Sequence, residues 1–282
     1  MINSLLQISL AIIEKKFLSF ASTSNTINNP TNYPVFFFTG LLEQPGFPSG
    51  VTPTIIPFKL LLLGKSSVGK TSTVAKLAGK ELPTMYNETP GIQTTLIYWP
   101  VKLLSSSNVV LFKLHFWDVG DYALKKFDHI KTAGQSDMDA VIFFFSFIDR
   151  SSYDDLPYLV TRTCDELQDI AKITIGTKFD QVLHSEVTEE ELRDFQEQWH
   201  IPIYKICNNE GRKLADGSLD GRAGIVEVAP ILNAITEVLW RHANEKRKAV
   251  QEKSPKKRPP ASNPDSSATN ITSQDHHQIT NI

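Results

Sequence analysis

The central motif of this sequence is Gly64-Lys65-Ser66-Ser67-Val68-Gly69-Lys70-Thr71. It is preceded by the apolar run Phe58-Lys59-Leu60-Leu61-Leu62-Leu63, which predicts a buried strand. Residues 72–78 follow with a helix-compatible pattern that ends at Gly79, the predicted C-cap. A strand, a glycine-containing turn and a helix N-terminus form an anion cradle, because backbone N–H groups and the positive end of the helix dipole converge there. The motif therefore predicts a phosphate-binding site.

Residues 64–71 fit the phosphate-loop (P-loop) pattern G-x-x-x-x-G-K-[S/T]. In this pattern the lysine, here Lys70, reaches the β- and γ-phosphates of a nucleotide, and the hydroxyl of Thr71 ligates Mg²⁺. The nucleotide-binding residues predicted in this segment are Gly64, Lys65, Ser66, Ser67, Val68, Gly69, Lys70, Thr71 and Ser72. The pattern alone chooses neither the base nor the reaction, so later motifs must do so.

Composition sets the broad class of the protein. The chain has 282 residues, enough for one large or two small domains, and its 41% apolar content is ordinary for a globular core. The formal net charge of −2 argues against a general electrostatic binder of nucleic acid. Two cysteines, Cys164 and Cys207, do not make a disulfide framework, so we expect a reducing, cytoplasmic setting.

The two ends of the chain differ in composition from its centre. We expect a folded domain over residues 54–249, preceded by a partly disordered extension and linker over 1–53. Residues 2–20 are apolar but interrupted by charge, so we expect neither a transmembrane segment nor a signal peptide there; an amphipathic membrane-surface helix is the alternative. Residues 250–282 predict a disordered basic and polar tail without a C-terminal prenyl box. The basic cluster at 253–260 is either solvated or a contact for acidic surfaces.

Strand and helix patterns alternate through the central domain. Residues 94–104 and 109–117 predict an antiparallel hairpin, and the apolar run at 140–147 predicts a central parallel strand buried on both faces. Thr188 and Glu191 form a predicted capping box at a helix start. The other predicted elements are helices over 122–131, 153–167 and 223 to about 248, and strands over 173–176 and 202–207. This order predicts an α/β three-layer fold with a mostly parallel six-stranded sheet.

The motif Thr177-Lys178-Phe179-Asp180 follows a predicted strand and resembles the [N/T]-K-x-D base-recognition box of small GTPases. A carboxylate accepts two hydrogen bonds, and guanine presents its N1–H and N2 amino group side by side, whereas adenine offers no such pair. Charged bidentate contacts are strong, so Asp180 would select GTP over ATP, with the Lys178 stem over the ring. The alternative is a surface turn after a strand.

The motif Trp117-Asp118-Val119-Gly120 resembles the W-D-x-x-G box of the same superfamily, in which Asp118 would hold Mg²⁺ through water. Aligned without a gap, Asp121 stands at the glycine position and Tyr122 at that of the water-orienting Gln. Aligned with one residue deleted, Gly120 is the glycine and Asp121 takes the Gln position. Neither alignment supplies a Gln.

Two further segments complete the predicted site. Glu88-Thr89-Pro90-Gly91-Ile92 is similar to the T-[I/V]-G of switch I in Rab-like GTPases, so Thr89 would contact Mg²⁺ and the γ-phosphate. Ile206-Cys207-Asn208 lies where the S-A-K base-supporting loop is expected, although its residues differ. Cys207 is therefore assigned to the base site, with a plain strand end as the alternative.

Together these motifs resemble the small GTPase superfamily over roughly residues 58–245, which implies the Ras-like P-loop fold with one antiparallel edge strand. The chain is more specifically similar to the Rem- and Rab-like small GTPases of the ciliogenesis and planar polarity effector (CPLANE) complex. The segments that carry this similarity are 88–95, 123–129, 147–153, 214–217 and 219–224. The resemblance does not extend to the first forty residues or the basic tail.

The resemblance implies a subunit that binds GTP or GDP with Mg²⁺ and joins the scaffold proteins Inturned, Fuzzy and the WD-repeat effector. It implies action in the cytoplasm and cytoskeleton at the cilium basal body, in cargo transport, cilium assembly, planar cell polarity and exocytosis. Without the orienting Gln, we expect very slow GTP hydrolysis. Two hypotheses remain, a slow switch that needs a partner for turnover and a GTP-loaded pseudo-GTPase scaffold. A P-loop ATPase or kinase is disfavoured by Asp180.

Overall fold

A computed structural model describes residues 54–102, 109–126, 137–167, 169–215, 217 and 220–253. The extension predicted over 1–53 lies outside these residues, and so does the tail beyond 253. Six strands are described: β1 (Ile55–Leu63), β2 (Ile92–Lys102), β3 (Val109–Val119), β4 (Ala140–Ser146), β5 (Ala171–Thr177) and β6 (Ile203–Lys205). The α-helices described are α1 (Lys70–Leu77), α2 (Asp121–Lys126), α3 (Arg150–Asp154), α4 (Leu156–Glu166), α5 (Glu189–Trp199) and α6 (Gly221–Lys253).

The six strands form one sheet in the order β2-β3-β1-β4-β5-β6. β2 pairs antiparallel with β3, in the register Ile92↔Val119 to Lys102↔Val109, and every other pairing is parallel. Every residue of β4 is buried, as expected of a parallel strand covered on both faces. The predicted hairpin, central strand and mostly parallel sheet are confirmed.

Helices cover both faces of the sheet. Leu60 and Leu62 of β1 belong to a core cluster that also contains α1 and α6, whereas the alternate residues Leu61 and Leu63 belong to a cluster with α4 and α5. This alternation follows from the two-residue period of a strand. It places the carboxyl end of β1 between two packed layers, so the loop that leaves this strand has a rigid base. Among the residues that the structure describes, no helix is long and apolar enough to cross a membrane.

Several element boundaries differ from the sequence prediction. The helix predicted over 153–167 is two helices, because Pro157 lies in the first turn of α4 and a proline without an N–H favours a helix start. The predicted strand 202–207 is only Ile203–Lys205: Ile206 still donates its N–H to the Gly176 carbonyl over 2.9 Å, and the chain then leaves the sheet. The helix predicted over 122–131 is described only as Asp121–Lys126, and the C-terminal helix continues to Lys253.

The predicted capping box at α5 is confirmed. The Thr188 hydroxyl accepts a hydrogen bond from the Glu191 N–H, and the Glu191 carboxylate accepts one from the Thr188 N–H over 2.8 Å. The pairing also lowers the pKa of Glu191, chiefly through the hydrogen bond from the Thr188 backbone. Both cysteine thiols, at Cys164 and Cys207, are free, in agreement with the expectation that they form no disulfide.

Candidate nucleotide-binding site

The loop of residues 64–71 lies between β1 and α1, as predicted. Gly64 has a φ of 151°, and a Cβ there would lie 2.5 Å from the Phe144 carbonyl oxygen, so the close approach of β4 requires glycine. Gly69 immediately precedes α1 with a φ of 99°, also a conformation that favours glycine. The two glycines of the pattern therefore set the shape of the loop.

The Lys70 side chain folds back onto the start of the loop. Its side chain is buried, with a relative exposure of 7%, and its Nζ donates to the carbonyl oxygens of Gly64 over 2.8 Å and Lys65 over 3.0 Å. The ammonium group is thus held against the start of the loop while its backbone opens α1. A buried cation beside the N–H groups of a helix N-terminus is complementary to phosphate oxygens.

The three predicted metal residues converge at the N-terminus of α1. The Thr71 hydroxyl donates to Asp118 Oδ2 over 2.5 Å and lies 3.3 Å from the Thr89 hydroxyl, which itself lies 3.4 Å from the same carboxylate oxygen. Asp118 is only 3% exposed, and its Oδ1 atom has no hydrogen-bond partner among the described residues. Two hydroxyls and a carboxylate are hard oxygen donors of the kind Mg²⁺ takes, so these residues fit that ion. In the described ranges, no group of three or more His, Cys, Asp or Glu side chains forms a separate metal site.

Gly120 joins the Asp118 box to the switch I segment. Its N–H donates to the Gly91 carbonyl over 2.9 Å, and a Cβ at this position would lie 2.1 Å from the Thr89 carbonyl oxygen. This contact favours the alignment in which Gly120 is the glycine of the box and Asp121 takes the Gln position. Asp121 opens α2, and Tyr122 is 56% exposed.

Glu88 is part of the site although the sequence analysis assigned it no role. One oxygen of its carboxylate, Oε1, accepts from the Ser66 hydroxyl over 3.0 Å and from the Tyr122 N–H over 3.2 Å. This side chain therefore connects the P-loop, switch I and the start of α2. Its position directly before Thr89 is the signal that could have drawn attention to it.

The base-recognition motif is attached directly to the P-loop. The Thr177 hydroxyl is fully buried and contacts the Val68 carbonyl of the loop and the Phe145 carbonyl of β4, the latter over 3.1 Å. Lys178 follows with a φ of 57° and precedes the 3₁₀ helix Phe179–His184, in whose first turn Asp180 lies exposed. The left-handed turn at Lys178 thus separates the buried anchor from the exposed carboxylate.

Cys207 lies close enough to Asp180 for the two side chains to interact electrostatically. Burial raises the pKa of its thiol, and the Asp180 carboxylate raises it further, so the group is protonated at neutral pH. The next residue, Asn208, has a contact that the motif did not predict: its Nδ2 donates to Thr73 Oγ1 over 2.8 Å and approaches the Gly69 carbonyl at 3.4 Å. The loop after β6 therefore contacts both the base motif and the phosphate-loop helix.

The remaining predicted residues lie at the rim of the site. Lys65 Nζ donates to the Ser151 hydroxyl over 2.6 Å, and this hydroxyl donates to Asp149 Oδ1 over 2.5 Å. The Ser151 hydrogen bond lowers the pKa of the Asp149 carboxyl, with further lowering from the nearby charges of Lys65 and Lys178. Ser67 is exposed with a φ of 64°, and Ser72 lies in the first turn of α1.

Comparison with known proteins identifies the class. A model of the Ras family matches residues 59–216, more than half of the chain. The chain belongs to the Ras family of small GTPases, in agreement with the resemblance found in its motifs and with its six-stranded mixed sheet.

Within this class, the chain is similar to proteins named ciliogenesis and planar polarity effector 2. It is 48% identical to the one from Xenopus laevis over 204 residues, which span 72% of this chain and 82% of the relative. It is also 48% identical to the one from Homo sapiens, over 71% of this chain and 78% of that protein. A more distant similarity, 26% over 60% of this chain and 64% of the relative, links it to the human Ras-related protein Rab-26.

Proposed function

We propose that this protein binds GTP and GDP together with Mg²⁺ and acts as a small GTPase-like subunit. The observation that carries the proposal is the convergence of Thr71, Thr89 and Asp118 within 2.5–3.4 Å of one another at the start of α1. These residues come from three separate segments, so their meeting is not a consequence of local sequence. A second support is the contact of the Thr177 hydroxyl, in the proposed base motif, with the Val68 carbonyl of the same loop.

Each residue has a distinct proposed role. Lys70 and the N–H groups of the loop bind phosphate oxygens, and Asp180 accepts hydrogen bonds from guanine. Thr71, Thr89 and Asp118 hold Mg²⁺, which when bound neutralises negative charge on the phosphates. Lys178 flanks the base, and Cys207 lies in the loop that supports it.

Hydrolysis is proposed to be slow. Ras, which has the water-orienting Gln, hydrolyses GTP unaided at only roughly 10⁻⁴ s⁻¹. In this chain Asp121 or Tyr122 stands at the Gln position, so nothing there replaces the amide. An Asp also adds negative charge near a γ-phosphate, which disfavours attack by water. The protein is therefore either a slow switch that depends on a partner or a subunit that stays loaded with GTP.

One assay separates these two functions. The purified protein is given GTP with and without its scaffold partners, and the bound and released nucleotides are identified over time. Multiple turnovers in the presence of a partner support the switch, whereas retention of intact GTP under both conditions supports the loaded subunit. Equal affinity for ATP and GTP would contradict both, and so would the absence of guanine nucleotide binding.

We further propose a role in cilium biogenesis and planar cell polarity. The support is the similarity to proteins named ciliogenesis and planar polarity effector 2. The proposed partners are Inturned, Fuzzy and the WD-repeat effector, and the proposed location is the cytoplasm and cytoskeleton at the cilium basal body, with effects on cargo transport and exocytosis. Depletion in ciliated cells should reduce cilium number, and the wild-type chain should restore it. Normal cilia after complete depletion would contradict this role.

A further inference from the structure

We propose that Lys76 positions the loop of residues 207–209 and that Glu227 on α6 controls, through Lys76, how fast nucleotide leaves the site. Residues 207–209 form this loop, the base loop. The inference rests on the proposed function, because it concerns release of the guanine nucleotide. It adds a regulatory input from the C-terminal helix, through the Lys76–Glu227 ion pair.

Lys76 holds the base loop from α1. Its side chain is 12% exposed, and its Nζ donates to the Cys207 carbonyl over 2.8 Å and reaches the Asn209 carbonyl at 3.5 Å. A lysine ammonium has three donors, and the third group around this one is the Glu227 carboxylate, with an Nζ–Oε2 distance of 2.8 Å. One cation thus ties together two elements that are more than a hundred residues away from it in the sequence.

The sheet itself gives the base loop little support. β6 ends at Lys205, after which the Ile206 N–H donates to the Gly176 carbonyl over 2.9 Å and the Ile206 carbonyl accepts from the Phe179 N–H at 3.4 Å. Beyond that point, α1 contacts the loop through Lys76 and through the Thr73 hydroxyl, which accepts from the Asn208 amide, and the Asp180 backbone contacts the Cys207 thiol. Because Cys207 lies beside Asp180, a change in the position of the loop also changes the surroundings of the base-recognition carboxylate.

Glu227 makes this arrangement accessible from outside. Its side chain is 43% exposed, whereas Ile225 and Val228 on the same turn of α6 are buried in the core. The helix is therefore firmly packed while the carboxylate remains reachable by a cationic group on a partner. A partner that pairs with Glu227, or that shifts this turn of α6, would break the ion pair between Glu227 and Lys76. The Lys76 side chain would then be less well positioned, so its hydrogen bonds to the base loop would weaken.

The test measures release of a fluorescent GDP analogue from the full chain, with Mg²⁺ and after chelation by EDTA. Lys76→Met keeps the aliphatic stem and removes the donors, and we expect release to accelerate about tenfold, the size of effect typical of lost charge-assisted hydrogen bonds. Glu227→Gln should accelerate release about two- to threefold. The matched controls are Lys80→Met, an exposed lysine just after α1, and Glu237→Gln, an exposed carboxylate on α6; both should release at the wild-type rate.

Two further measurements distinguish positioning of the base loop from general loosening. The acceleration in Lys76→Met should be equally large with EDTA, because the base loop is separate from the metal residues. The double variant should release as fast as Lys76→Met alone, because Glu227 acts through Lys76. Should Lys76→Met fail to fold, Glu227→Gln and its control still test the coupling.

Unchanged release in Lys76→Met would overturn the inference, and so would an acceleration that disappears in EDTA. Wild-type release in Glu227→Gln, or additive effects in the double variant, would overturn the coupling to α6. Failure of the wild-type protein to bind GDP would instead overturn the proposed function. The two failures are therefore distinguishable in one set of experiments.

Discussion

The Ser66 hydroxyl donates a hydrogen bond to Glu88 Oε1 over 3.0 Å, across the mouth of the P-loop. The same oxygen accepts from the Tyr122 N–H, so one carboxylate connects the three segments that surround the proposed γ-phosphate position. Glu88 lies next to Thr89, one of the proposed metal residues, and its contacts fix the backbone from which the Thr89 hydroxyl projects.

Replacing Glu88 should loosen switch I. Glu88→Ala removes both contacts, and because the side chain is exposed we expect at most about a fivefold faster release of GTP, equivalent to about 1 kcal/mol. Glu88→Gln keeps an acceptor oxygen, so its rate of GTP release should lie between those of the wild type and of Glu88→Ala. Release rates of a fluorescent GTP analogue provide the measurement, with Glu81→Ala, an exposed carboxylate in the same segment, as control. Equal rates for Glu88→Ala and Glu81→Ala would show that these contacts do not hold the switch.

Asp180 should determine the choice of base. In Asp180→Asn the amide presents a donor where guanine also has one, so GTP affinity should fall by about 100-fold while xanthosine triphosphate binding improves. Competition binding with both nucleotides measures the exchange of preference. Asp165→Asn, an exposed site on α4, should leave both affinities unchanged. A parallel loss of both nucleotides in Asp180→Asn would indicate a structural role in place of base recognition.

Gly120 should tolerate no side chain. In Gly120→Ala the new Cβ would lie 2.1 Å from the Thr89 carbonyl oxygen, so the switch I backbone must move away. We expect the Thr89 hydroxyl to move away from the Asp118 carboxylate. As a result, Mg²⁺ should slow nucleotide release less in this variant than in the wild type. The measurement is the ratio of release rates with EDTA and with Mg²⁺.

Gly224→Ala is the matched control, because a Cβ at this helical position meets nothing within 4 Å. Alanine in a helix should raise stability, by up to about 1 kcal/mol, and leave the ratio of release rates unchanged. A wild-type ratio in Gly120→Ala as well would contradict the close packing of this glycine against switch I.

His115 should make the fold sensitive to mild acid. Burial lowers its pKa below 6.5, with smaller contributions from the positive charges of Lys113 and Lys59. The unfolded state therefore binds the proton more readily than the folded state does. The contribution of neutral His115 to the free energy of unfolding is thus fully present above about pH 6.5 and is lost as the pH falls below it. Urea unfolding at pH 7.5 and 5.5 measures this loss. His115→Gln should reduce the pH dependence, whereas His184→Gln, at an exposed position, should keep it.

The elements with strong local signals could be predicted from the sequence. The P-loop glycines, the buried run of β4 and the capping box at Thr188 each depend on residue types within a few positions of one another, and all three are present. Thr71, Thr89 and Asp118 each lie in a recognisable motif, and the structure brings their side chains together, while their role toward a metal stays a prediction. The break between α3 and α4 was missed although Pro157 was visible, because the helical periodicity continues across it.

The contacts that organise the site from outside the motifs could not be predicted in this way. Lys76, Glu88 and Asn208 are ordinary surface-type residues whose roles arise from partners distant in the chain; 131 positions separate Lys76 from Cys207, and 135 separate Asn208 from Thr73. Neither hydrophobic periodicity nor spacing records such pairs. They become visible only when the sheet order places the ends of β1, β3, β5 and β6 at the same edge.

The Thr177 hydroxyl has one proton and two acceptors, the carbonyl groups of Val68 and Phe145. Thr177, the first residue of the proposed base-recognition motif, thus also supports the backbone of the phosphate loop. An engineer who replaced the proposed base-recognition motif of this scaffold would therefore also disturb the loop proposed to bind phosphate. Changing nucleotide preference without that damage requires Thr177 to be left in place and the redesign to begin at Lys178.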